Sequence, residues 1–143
     1  MFNKNEEGQS IFEVVVAVAL ISFVLVALVS MASLSIAAST FSRNTTQASR
    51  FTQQAIEWLR SEKDAGWIAF KAHAANSTWC LDSLTWLKPG PCSASQFISG
   101  TIFKRSLTFT TNSDGSLTVD VTTYWDDAKG THNAPTTTVF TDK

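Results

Sequence analysis

Residues 6–30 read EEGQSIFEVVVAVALISFVLVALVS. One carboxylate, Glu13, stands at the mouth of an apolar run, and the next charge is Arg43. Between residues 14 and 38 there is no charge, no Pro and no Gly. At about 25 residues, that run exceeds the roughly 18–20 needed to cross a bilayer as a helix. Ser22, Ser30, Ser33 and Ser35 lie inside it, but serine hydroxyls bond back to helix carbonyls and do not bar insertion. A carboxylate beside so much hydrocarbon is costly unless it is paired or kept near water. Glu13 is therefore either the last polar residue before a membrane anchor or a group with a dedicated partner. Ser10-x-x-Glu13 is also a capping-box pattern, and an acid in a first helical turn complements the helix dipole.

A secretory signal peptide is a competing reading of the same stretch. Its apolar region spans only about 7–15 residues and follows a positive start. Here the leader MFNKNEEG sets Lys4 against Glu6 and Glu7, although SIAAS at residues 35–39 has the form of a cleavage site. Orientation is left open by composition. Arg43 and Arg50 follow the run, which by the positive-inside rule keeps the following part in the cytoplasm. The cysteines and the Thr-rich remainder favour the outside.

Downstream the pattern changes without a break. In RNTTQASRFTQQAIEWLRSEKDAGW, residues 43–67, the apolar positions Ala48, Phe51, Ala55, Trp58 and Leu59 recur at the spacing of an amphipathic helix. Gly66 is well placed as its stop. One continuous helix is expected from about residue 10 to about residue 64, on the order of 80 Å at 1.5 Å per residue. Its first half is apolar all round and its second half carries one stripe.

Residues 67–99 read as an irregular connection holding STWCLDSLTWLKPGPCSAS, with Pro89, Gly90 and Pro91 marking a turn. Cys80 and Cys92 are either a disulfide or two free thiols; zinc is disfavoured because no CxxC pair or clustered His supports it. In TIFKRSLTFTTNSDGSLTVDVTTYW, residues 101–125, alternating Phe103, Leu107 and Phe109 and then Leu117, Val119, Val121 and Trp125 flank NSDGS, the signature of a β-hairpin. A second turn at DDAKGTHNAP leads to a short final strand, TTTVFT. The expected fold class is α+β, with the helix stripe covering a small antiparallel sheet of about three strands. The divisions are residues 1–8, 9–38, 39–66 and 67–143.

Other groups point to no chemistry of their own. His73 and His132 are placed in surface or loop roles, and Asp126 and Asp127 in a turn, where they offer at most a weak Ca²⁺ site. No Ser/His/Asp or Cys/His constellation and no Gly-rich phosphate loop is present, so neither enzyme nor cofactor is expected. Trp67, Trp79, Trp86 and Trp125 are read as core residues, with an exposed Trp79–Trp86 pair as the alternative adhesion surface. Lys104 and Arg105 are too few to argue for nucleic acid, and the net charge of −1 adds no support.

The head of the chain, Gly8-Gln9-Ser10-Ile11-Phe12-Glu13, together with the long apolar run, resembles the type IV pilin and pseudopilin superfamily. The resemblance covers the leader and long helix most strongly, with softer likeness in FTQQAIEWLRSEKDAGW and in the strand pattern that follows. It implies a leader, residues 1–8, cut by prepilin peptidase between Gly8 and Gln9, and N-methylation of Gln9. It also implies that Glu13 pairs with the new amino terminus of a neighbouring subunit. The implied partners are other pilin subunits, prepilin peptidase, an inner-membrane assembly platform and the lipid bilayer. The implied topology is single-pass, with the leader in the cytoplasm and the sheet domain outside, where Cys80 and Cys92 would pair. The start at Gln9, the absence of Pro in the apolar half and the cysteines ahead of the hairpin favour a minor subunit. A minor pseudopilin of a secretion or DNA-uptake machine, or an unprocessed membrane-anchored binding domain, are the rival readings.

Overall fold

The computed structural model describes residues 6–142, with side chains from Ile11 onward. Met1–Asn5 of the expected leader lie outside the described residues. The fold is α+β. A single helix, α1, runs Glu6–Ala65, and a four-stranded antiparallel sheet follows in the order β1-β2-β3-β4. The strands are β1 Thr78–Cys80, β2 Lys104–Thr111, β3 Leu117–Asp127 and β4 Gly130–Phe140. The chain divides into two compact units, Met1–Ser42 and Arg43–Lys143.

In the first unit α1 already runs through Ser10. Ser10 is therefore not a cap in this chain, and the capping-box reading is corrected. Glu6 and Glu7 extend the helix upstream of the expected start, as good helix formers. Ser22, Ser30 and Ser33 donate their Oγ protons to the carbonyls of Val18, Val26 and Val29, at 2.8, 2.9 and 3.0 Å. Their hydroxyls are thus satisfied within the helix, as hydrocarbon surroundings require.

In the second unit the stripe on α1 is somewhat different from the expected one. Ala48, Thr52, Ala55, Ile56 and Leu59 are buried, whereas Phe51 and Trp58 are half-buried at its margins. Thr52 belongs to the stripe because its hydroxyl has partners there: it lies 2.9 Å from both Thr123 Oγ1 and the Ala134 carbonyl. Ala55, Ile56 and Leu59 pack with Leu107, Phe109, Leu117, Val119 and Val121 in one apolar core. Alternation does the rest, since every second residue from Leu117 to Trp125 is buried.

The helix ends at Ala65 and the chain turns extended at Gly66 (φ 173°), whose N–H meets the carbonyls of Glu62 and Lys63 at 3.3 and 3.2 Å. The connection read as irregular contains a short helix, α2 Trp67–Ala72, and a fourth strand, β1, paired antiparallel to β2. The last strand is longer than expected. Asp127 Oδ1 accepts the Lys129 N–H at 2.7 Å, closing a tight turn, so that Gly130 to Pro135 pair with β3.

Cys80 and Cys92 form a disulfide, Cα–Cα 4.7 Å, which closes a loop over a separation of 12 residues. That loop carries Trp86 into the core margin, 4.7 Å from the Trp58 ring, with its indole N–H donating to Glu62 Oε2 at 2.7 Å. Cys80→Ser with Cys92→Ser is expected to cost about 3 kcal/mol, because the open chain regains the entropy of a loop of this size. Urea unfolding with and without reductant checks this: reductant should shift the wild-type midpoint and leave the variant's unchanged.

Candidate functional site

The apolar part of α1 is exposed in the isolated chain. Phe12, Phe23, Met31, Leu34 and Ile36 are each more than two-thirds exposed, and the helix is long and apolar enough to cross a membrane. So much contiguous apolar surface on one chain needs lipid or protein around it. Glu13 lies near the start of this surface, exposed, with no hydrogen bond or ion pair among the described residues. Gly8 and Gln9 are in the backbone of α1, five and four residues before Glu13; the Gln9 side chain lies outside the described residues.

Several sequence expectations change on this geometry. Trp79 is 5% exposed and donates its indole N–H to the His73 carbonyl at 2.9 Å. Trp86 stacks on the His73 ring at 4.1 Å and 10°. The two indoles therefore fill the core margin, and the adhesion-surface alternative is corrected: both N–H groups are engaged inward. His73 is held between Trp79 and Trp86. Burial lowers its pKa below the usual imidazole range, with Glu62 opposing. His132 sits in β4 rather than in a turn, with Nε2 2.9 Å from Asp127 Oδ1. Asp126 accepts the Thr131 hydroxyl at 2.5 Å, so both acids of the pair organise the β3–β4 turn. Among the described residues no group of three or more His, Cys, Asp or Glu could hold a metal.

Two features were not read from the sequence. Arg105 falls in phase with Leu107 and Phe109 on the inner face of β2 and is 2% exposed. It donates to the carbonyls of Leu81 at 3.0 Å and Phe51 at 2.7 Å, joining the disulfide loop to α1. Its inward parity was the available signal. The second is a groove of about 500 Å³ between α1 and the segment before β2. Arg43, Asn44, Gln47, Arg50 and Phe51 line one side of it, and Gly100 to Phe103 line the other. The spacing of Arg43, Gln47 and Arg50 along α1 was the available signal for one side, and the opposing segment could not be foreseen.

No family model matches this chain, and no match is found among curated proteins or solved structures.

Proposed function

We propose that this chain is a structural subunit of a type IV pilus-type filament, most like a minor pilin, cut after Gly8 and assembled through α1. One observation carries the reading: an exposed apolar helix, with Glu13 the last acid before its uncharged run, leads into a small α+β unit. The architecture is compatible with a pilin-like fold. A bilayer would hold the helix before assembly and kindred helices would hold it afterwards, with the sheet domain outside the cytoplasm. The role is one of packing and not of catalysis.

Cleavage would give Gln9 a positive amine one helical turn from Glu13, and methylation would keep that charge. A carboxylate and an amine each cost several kcal/mol when alone in apolar surroundings. Pairing Glu13 with the amine of a neighbouring subunit removes both penalties only in the correct register. A misplaced subunit leaves both charges unpaired, so the pair selects the assembled position.

Glu13→Ala is therefore expected to reduce incorporation into filaments by about tenfold or more, a factor of ten corresponding to about 1.4 kcal/mol. Cleavage should remain intact, as read by mass spectrometry of the mature chain. Normal incorporation of the variant would remove the pairing role. Retention of residues 1–8 in the mature wild type would reject the filament reading in favour of an unprocessed anchor. A pseudopilin role shares the same processing and would be separated from a pilus role by the length of the filaments.

A further inference from the structure

We propose that the groove between α1 and residues 100–103 binds the phosphate of an anionic phospholipid at the membrane surface. Its cations are uncommitted: among the described residues neither the Arg43 nor the Arg50 guanidinium has an ion pair or hydrogen bond. The other charges on this part of α1 are engaged, Arg60 with Glu57 at 3.4 Å and Lys63 with Asp64 at 3.3 Å. No acidic residue lines the groove.

A further free donor lies in the same space. Asn44 is only 8% exposed, yet its amide makes no hydrogen bond to any described residue. Asn44 lines the groove beside the two arginines, and its amide atoms are open to the hollow. Arg43, Asn44, Gln47 and Arg50 together present N–H donors to one hollow, a donor set suited to phosphate oxygens. The opposite wall is preformed. Ile98 N–H donates to the Phe103 carbonyl at 2.8 Å, Thr101 Oγ1 to the Ile98 carbonyl at 2.8 Å, and Phe103 N–H to Thr101 Oγ1 at 3.1 Å. Phe51 and the half-exposed Ile102 add apolar surface beside these donors. That combination fits an amphiphile better than a free anion.

Chain connectivity supplies the lipid. Arg43 follows the end of the apolar run at Ala38 by about five residues, a span of at most ~18 Å even fully extended. With the apolar run in a bilayer, the groove is tethered to the headgroup region. The inference needs only that membrane anchoring, and neither cleavage nor filament assembly.

The test uses the full chain in neutral-detergent micelles, titrated with phosphatidylglycerol or phosphatidylcholine and read by native mass spectrometry. Two arginines near a headgroup are expected to favour the anionic lipid by roughly tenfold to thirtyfold. Arg43→Gln with Arg50→Gln should bring that preference close to unity without shifting the thermal unfolding midpoint. Arg60→Gln with Lys63→Gln, which removes the same charge farther along α1, should leave the preference intact. Equal retention of the two lipids by the wild type would overturn the proposal, as would an equal loss in both double variants. Displacement of the lipid by an equal concentration of inorganic phosphate would overturn the lipid as the source of the phosphate. Absence of filaments from the wild-type chain with lipid preference intact would instead count against the filament reading alone.

Discussion

Replacing Phe70 by alanine is expected to lower the unfolding free energy of the residue 43–143 unit by about 3 to 5 kcal/mol. Phe70 is the buried residue of α2, 1% exposed. Its ring meets Phe109 at 5.7 Å, Phe140 at 5.3 Å and Trp86 at 6.2 Å, all edge-on. Edge-to-face aromatic pairs add energy beyond the area they bury. Phe70 thus ties together α2, β2, β4 and the disulfide loop. Truncation would remove one aromatic ring and leave a cavity that three rigid neighbours cannot fill. The neighbouring Ile68, 86% exposed on the same short helix, provides the control: Ile68→Ala should change stability by no more than about 0.5 kcal/mol. Urea unfolding of the full chain in micelles, followed by near-ultraviolet circular dichroism, measures both. A Phe70→Ala loss below about 1 kcal/mol would mean that α2 is not part of the cooperative core.

Phe70 also marks where the sequence stops being legible. The long helix was readable because its apolar run and its later stripe follow a helical period over many turns. The β2–β3 hairpin was readable because alternation and NSDGS agree. By contrast, α2 spans Trp67–Ala72 and β1 spans Thr78–Cys80, both too short for any period to show. The first half of β4 was hidden by Gly130, Asn133 and Pro135, which read as turn formers. They are tolerated because β4 is the last strand in the sheet order, where a missing N–H is least costly. The inner stripe of α1 was misread at Thr52 for a related reason. A polar side chain counts as outward until a tertiary partner, here Thr123, is known. Sequence supplied Glu13 and the two cysteines. It could not supply the wall at residues 100–103 that, with Arg43 and Arg50 of α1, makes a groove.

Arg105 was hidden because its charge argued for solvent while its parity argued for the core, and parity won. Arg105→Ala is expected to cost about 3 to 5 kcal/mol, from a large-to-small change in the core together with stranded acceptors on the Leu81 and Phe51 carbonyls. Arg105→Met keeps most of the volume and removes the buried charge, so it should cost only about 1 to 3 kcal/mol, the range for leaving a buried acceptor unpaired. The ordering of the two variants separates packing from hydrogen bonding. Burial pulls the Arg105 pKa down to about 10, with Asp82 opposing. Its folded pKa lies below its unfolded one, so above about pH 10 the unfolded chain holds the proton longer and the cost of burying the charge is progressively relieved. Below that pH both states are protonated and the cost is constant. The Arg105→Ala loss should therefore be the same at pH 6 and pH 8 in parallel urea titrations. A loss that changed between those two values would mean that a group titrating near neutrality, and not the three hydrogen-bonded carbonyl and amide oxygens of Leu81, Phe51 and Gln54, holds Arg105 in place.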